Sequence, residues 1–173
     1  MRNKIGYVPQ DIFLFSDTIK NTNSFNADNQ EKNSNHLVSK AAKDACIYSD
    51  IEKFPKQFDT ILGERGITLS GGQKQRISIA RALYRNPKIL ILDDCLSAVD
   101  TETEEKIISN LKLIMKNKTS IIVSHRVSSI KHADEIIFLE NGKIIEKGTH
   151  QELLEKNGYY KSLYDKQLLE EKA

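Results

Sequence analysis

Two aliphatic runs, "KILILD" (Lys88–Asp93) and "TSIIVSH" (Thr119–His125), limit the possible folds of this chain more than any other feature. Neither alternates apolar with polar, and such unbroken runs mark strands covered on both faces of a parallel sheet. The residues between them predict a helix. Thr101 and Glu104 form a possible capping box, and acids fill the first turn. Ile107, Ile108, Leu111, Ile114 and Met115 make an apolar stripe, with lysines gathered at the end. Parallel strands need a crossover of about a dozen residues or more, usually helical, so strand–helix–strand follows and the class is α/β.

The other elements are placed around that unit. "KIGYVPQ" (Lys4–Gln10) reads as a short strand stopped by Pro9. Asn21–Asn35, rich in Asn, Asp and Lys, reads as a solvated loop, and His36–Lys56 as helical. Ser70 is expected to cap a helix with Ile77, Ala80, Leu83 and Tyr84 on one face, ending at Asn86-Pro87. Asn141-Gly142 between two strand runs predicts a type I′ hairpin. Thr149 and Glu152 repeat the capping-box pattern, and Tyr159–Glu171 reads as an amphipathic helix.

With 173 residues the chain falls in the single-domain range and can bury a real core. Its 26 basic and 24 acidic residues are interspersed, and a net charge of +2 gives no electrostatic case for nucleic acid. No apolar run approaches the roughly 18–20 residues that span a bilayer. Cys46 and Cys95 lack any disulfide or metal-binding spacing, which fits a reducing compartment.

"LSGGQKQR" (Leu69–Arg76) puts Ser70, Gly71 and Gly72 at a helix N-terminus, where backbone N–H groups suit an anion and glycines let phosphate oxygens approach. Alone, this is also how an ordinary capped helix begins. Twenty residues after Gln73, Asp93 closes an aliphatic strand, at the sheet edge where α/β folds bind ligands. One carboxylate there suits Mg²⁺, which takes one or two protein acids plus waters and phosphate oxygens. A second, Asp94, can orient or deprotonate an attacking water. His125 ends the next aliphatic run and is expected on the same edge. His36, His132 and His150 lack such placement and read as surface residues.

Together these residues resemble the nucleotide-binding domain of ATP-binding cassette transporters of the exporter type. Gln10 in "GYVPQDIFLFSDTIKNT" matches the family's Q-loop. "LSGGQ" is its signature, "ILILDD" its Walker B strand, "SAVD" its D-loop and "VSHR" its switch-histidine loop. "TILGERG" (Thr60–Gly66) looks like the exporter X-loop, and "GTHQELLEKNGYYKSLY" like the usual C-terminal segment. The resemblance implies an incomplete P-loop NTPase fold with a largely parallel sheet and an inserted helical subdomain. Residues 1–10 would be a core strand leading to the Q-loop, 11–86 the helical subdomain, and 87–173 the remaining half of the core.

It also implies roles. Gln10 would sense metal and γ-phosphate, Asp93 would hold Mg²⁺, Asp94 would take the general-base position and His125 would contact the γ-phosphate. Asp100 would align a dimer in which Ser70, Gly71, Gly72 and Gln73 close over ATP held by a second domain. Transmembrane helices would tether the protein to the cytoplasmic face of a membrane, with no nucleic-acid partner.

Two departures qualify this. No G-x-x-x-x-G-K-[ST] loop occurs, and the chain starts nine residues before Gln10. Without that cradle the expectation is weak ATP binding and no hydrolysis by this polypeptide alone, as for the C-terminal part of a domain. Asp94 stands where the family has Glu, one methylene longer; this resembles the slow site of heterodimeric exporters and favours a heterodimer over an active homodimer. Rival classes are a DNA-repair or chromosome ATPase, whose heptad coiled coil is missing, a translation-associated cassette protein, and a non-catalytic partner-binding remnant.

Overall fold

The computed structural model describes residues 4–24, 34–63 and 67–170, which form two compact units, Met1–Val123 and Ser124–Ala173.

In the first unit, strands β1 (Ile5–Val8), β2 (Ile89–Asp93) and β3 (Thr119–Val123) form a parallel sheet in that order. Val8 pairs with Leu92 and Asp93 with Val123. The β2–β3 crossover is the expected helix, α5 (Thr101–Met115). Its cap differs from the expectation. Asp100 precedes the first turn and its Oδ1 accepts the Thr103 N–H at 2.9 Å, so Thr101 is already inside the helix. Both Asp and Thr cap well, and the choice falls to the residue whose extended φ/ψ ends the preceding turn.

The helical region comprises α1 (Ile19–Asn23), α2 (Asn35–Asp44), α3 (Tyr48–Lys53) and α4 (Gly71–Tyr84). Two expectations change here. The helical stretch from His36 to Lys56 is two helices, because Cys46 adopts φ 54° between them. Asn21–Asn23 belong to α1 and Asn35 to α2, so these ends of the expected loop are helical; residues 25–33 lie outside the described residues. Of the X-loop, Thr60 accepts the Ile19 N–H at 3.0 Å and Leu62 donates to Asp17 at 2.9 Å, while residues 64–66 lie outside the described residues.

Ser70 caps α4 in a full capping box: its hydroxyl accepts the Gln73 N–H at 3.2 Å, and Gln73 Oε1 accepts the Ser70 N–H at 3.0 Å. Beyond its first turns α4 has no single apolar face. Ser78, Ile79 and Ala82 are buried together with Ile77, Ala80, Leu83 and Tyr84, because α1, α2 and β1 enclose the helix. The core runs from these residues to Leu90 and Leu92 of β2 and Ile107 and Leu111 of α5.

Coverage of the sheet also departs from the sequence pattern. Burial alternates along β2, and in β3 Ile121 and Val123 are 50% and 49% exposed. Register puts Tyr7, Ile91 and Ile121 on one face with Val123, and Tyr7 is 51% exposed. Among the described residues, only the other face has the cover that unbroken aliphatic runs suggest.

The second unit contains α6 (Val127–Ile130), the hairpin β4 (Ile136–Glu140) and β5 (Lys143–Gly148), α7 (His150–Glu155) and α8 (Tyr159–Glu170). Asn141 and Gly142 have φ 50° and 73°, the two positive values that a type I′ turn requires. Thr149 and Glu152 form the expected capping box. Val127, Ile136, Leu153 and Tyr160 make a small separate core. Only Tyr160 of α8 is fully buried, so this helix is less amphipathic than its sequence suggests.

Candidate functional site

Parallel pairing sends the chain out of β1 and β2 at the same edge. Since Val8 lies opposite Leu92, the segment with Gln10 and the segment with Asp93-Asp94 both start there. Gln10 is exposed and both aspartates are half-buried. Asp93 ends β2, and its Oδ2 accepts the Tyr7 hydroxyl at 3.1 Å. That bond, with the nearby negative charge, raises the Tyr7 phenol above its ordinary value.

Asp94 leaves the sheet with φ 43°, a left-handed conformation that Asp and Asn tolerate better than other non-glycine residues. Its N–H is bonded to the Val123 carbonyl at 2.9 Å and its carbonyl accepts the Ser97 hydroxyl at 3.0 Å. A held, sparsely populated backbone conformation is the kind of feature that clusters at functional sites. Cys95 is buried, and burial pushes its thiol up to about 12, so it packs as a small apolar residue.

The turn after Asp94 then meets the start of α4. A Cβ on Gly72 would lie 2.9 Å from the Ala98 carbonyl oxygen, and one on Gly71 would lie 3.2 Å from the Ala98 methyl. The glycines therefore admit the chain's own 97–99 turn, a use that sequence reasoning, which assigned them to phosphate, missed. Gln75, two residues beyond the signature, is buried at 5% exposure and bonds to the same turn. It accepts the Ala98 N–H at 2.9 Å and donates to Ser97 Oγ at 3.2 Å. Its neighbours Lys74 and Arg76 are exposed and half-buried, so no local sequence signal marked it.

Gln73 is engaged at both ends of its amide, through Oε1 to Ser70 and through Nε2 to Asp50 at 3.0 Å. Arg76 joins Asp50 at 2.7 Å and donates to the Cys46 carbonyl at 2.6 Å. Burial alone would raise the Asp50 carboxyl, but the hydrogen bonds from Gln73 and Arg76 and the guanidinium charge outweigh it and hold Asp50 below the ordinary carboxylate value. Asp100 is likewise held low, chiefly by the Thr103 N–H and hydroxyl.

The first unit thus brings Gln10, Asp93 and Asp94 to one sheet edge, and Ala98 and Val99 against Gly71 and Gly72. His125 is exposed and belongs to the second unit, which begins at Ser124; its carbonyl accepts Gln167 Nε2 at 2.7 Å. No cluster of three or more His, Cys, Asp or Glu suited to a metal occurs among the described residues. A cation held by Asp93 would therefore complete its shell from water and phosphate oxygens, which is how Mg²⁺ binds.

A parallel sheet with an acid pair at its carboxyl edge and an abutting glycine-rich helix start is the kind of edge at which α/β proteins bind ligands. Comparison with known proteins narrows this. The family profile described as ABC transporter matches residues 1–97. The uncharacterized ABC transporter ATP-binding protein YknU of Bacillus subtilis (strain 168) is 54% identical over 167 residues, covering 96% of this chain and 28% of that protein. The ATP-dependent lipid A-core flippase of Haemophilus influenzae (strain 86-028NP) is 48% identical over 167 residues, with the same 96% and 28% coverage. A bacterial Atm1-family ABC exporter solved with ATP bound matches with a TM-score of 0.89 at 41% identity, over 96% of this chain and 29% of that one. The chain belongs to the ABC transporter family and has its ATPase-domain fold, mixed α/β with a parallel sheet. It spans 28% of the length of these two curated relatives.

Proposed function

We propose that this chain is part of the cytoplasmic nucleotide-binding domain of an exporter and that it acts on ATP with Mg²⁺. The observation that carries the reading is the Asp93-Asp94 pair at the carboxyl edge of β2, with the turn that follows it seated on the N-terminus of α4. The relatives support it: an ATP-dependent flippase and an exporter solved with ATP bound are similar over almost all of this chain.

In this reading residues 1–10 lead the core into the Q-loop, 11–86 form the helical subdomain, and 87–173 carry the second half of the core. Asp93 and Gln10 would hold the metal, which supplies charge neutralisation at the β- and γ-phosphates. Asp94 orients or deprotonates the attacking water, and His125 contacts the γ-phosphate. Ser70 Oγ accepts the Gln73 N–H, leaving its own proton to donate to a phosphate oxygen. The N–H groups of Gly71 and Gly72, in the first turn, have no intrahelical acceptor. That donor set fits a triphosphate presented by a second nucleotide-binding domain across a dimer aligned by Asp100.

Among the described residues no helix is long and apolar enough to cross a membrane, so attachment to the membrane falls to a transmembrane domain. Asp94 in the general-base position favours a heterodimer in which this site is the slow one. The 173 residues contain no phosphate-cradling lysine loop, so the polypeptide alone should not turn over ATP. The test is an ATPase assay on purified 1–173 and on the complete transporter. The expected result is magnesium-dependent turnover only in the complete transporter, with hydrolysis at this chain's own site lost in His125→Ala. Such turnover by 1–173 itself would overturn the proposed division of labour, and its absence from the complete transporter would overturn the function.

A further inference from the structure

Gln75, two residues past the signature, has no role assigned above, yet its buried carboxamide hydrogen-bonds α4 to the turn that carries Asp94. The amide orientation is fixed by chemistry. Ala98 presents an N–H, so the atom 2.9 Å away must be Oε1. Nε2 is then left to donate to Ser97 Oγ at 3.2 Å. The Asp94 carbonyl can only accept, so the Ser97 proton goes to it at 3.0 Å. The relay therefore runs in one direction, from Gln75 through Ser97 to the peptide of Asp94.

Three other contacts hold the same turn. Asp94 N–H is tied to Val123, Val99 N–H to Leu96, and Ala98 rests where Gly72 leaves room. Ser97 and Ala98 themselves are exposed, so without the buried glutamine beneath them little packing would keep them in place. Asp94 sits at φ 43°, a conformation that persists only when its surroundings impose it.

We infer that Gln75 is a positioning residue: through Ser97 it fixes the left-handed Asp94 turn and so aims the Asp94 carboxylate. This rests on the function proposed above, in which Asp94 acts on the attacking water. Misplacing a catalytic group by about 1 Å costs on the order of 100-fold in rate. Loss of the relay should therefore lower kcat and leave ATP binding, made by other groups, nearly unchanged.

The experiment uses the complete transporter with Gln75→Met, which keeps length and burial and removes both hydrogen bonds, and Ser97→Ala, which cuts only the step to Asp94. Amide hydrogen exchange over residues 94–99, measured without nucleotide, reads the clamp itself. Exchange there should quicken about 10-fold or more in Gln75→Met, with α4 beyond residue 77 unchanged, and less in Ser97→Ala. Turnover at this chain's own site, read with the partner domain's site disabled, should fall by about 10- to 100-fold in kcat, with KM for ATP within about twofold. The double variant should be no worse than Gln75→Met, since both cut one chain. Unchanged exchange in residues 94–99, additive losses, or a loss confined to KM would overturn the inference. If the wild-type transporter lacks ATP turnover the proposed function fails, whereas the exchange result still tests the clamp.

Discussion

Replacing Gly72 with alanine sets two effects of known size against each other. Alanine is favoured over glycine inside a helix by about 1 kcal/mol, and less in a first turn such as this one. Against that, the new Cβ would stand 2.9 Å from the Ala98 carbonyl oxygen, a backbone atom in a turn already tied by Gln75 and by the Val99–Leu96 bond. The turn cannot retreat without breaking those bonds, and overpacking of this kind costs about 1–3 kcal/mol. The clash wins, leaving a net loss of about 1 kcal/mol, or about 3 °C in thermal midpoint for a unit of this size. Gly71→Ala is the control. Its Cβ would meet only the Ala98 methyl at 3.2 Å, which can yield by a few tenths of an ångström, so stability should hardly change. Urea denaturation without nucleotide separates the two variants. A Gly72→Ala protein as stable as the wild type would refute the view that Gly72 serves the chain's own turn.

Three further outcomes are expected. Asp50→Asn removes the shared acceptor of Gln73 and Arg76, whose ion pair is only 25% and 14% exposed, and should cost about 1–3 kcal/mol at pH 7. Because the folded Asp50 pKa is depressed, its contribution is complete above the ordinary value of 3.8 and is lost as pH falls through the folded value; the urea-midpoint gap to wild type should close there. The sheet face bearing Tyr7, Ile121 and Val123 should make the 173-residue polypeptide self-associate, and sedimentation should show Ile121→Lys to be more monomeric. In the complete transporter Asp94→Glu should raise turnover if the shorter acid limits its site, despite a conformational penalty of about 1 kcal/mol at φ 43°; an unchanged rate would count against that explanation.

Much of this was legible in local chemistry. Ser70, Thr149 and Asn141-Gly142 act through groups one to three residues away, and each sits where the sequence placed it. The β2–α5–β3 crossover follows because two aliphatic strands and one striped helix have few other ways to bury their faces. What the sequence hid depends on contacts made at a distance. Thr101 and Asp100 compete as caps, and backbone direction rather than composition decides between them. The break at Cys46 has no Gly or Pro to announce it. Tyr7 meets Asp93 across 86 residues, and Gln75 meets Ser97 and Ala98 across 22 and 23; no short-range pattern encodes those pairs. Aliphatic runs reported the apolar character of β3 but not which of its faces is covered.

The proposed function depends above all on Asp94 acting on the water that attacks ATP. Asparagine adopts the same left-handed conformation, so Asp94→Asn removes the charge without disturbing the turn. The direct measurement is ATP retention and turnover side by side in the complete transporter carrying that change. The prediction is ATP bound as tightly as in the wild type with hydrolysis at this site reduced by about 100-fold or more; equal hydrolysis at this site by the two proteins would contradict it.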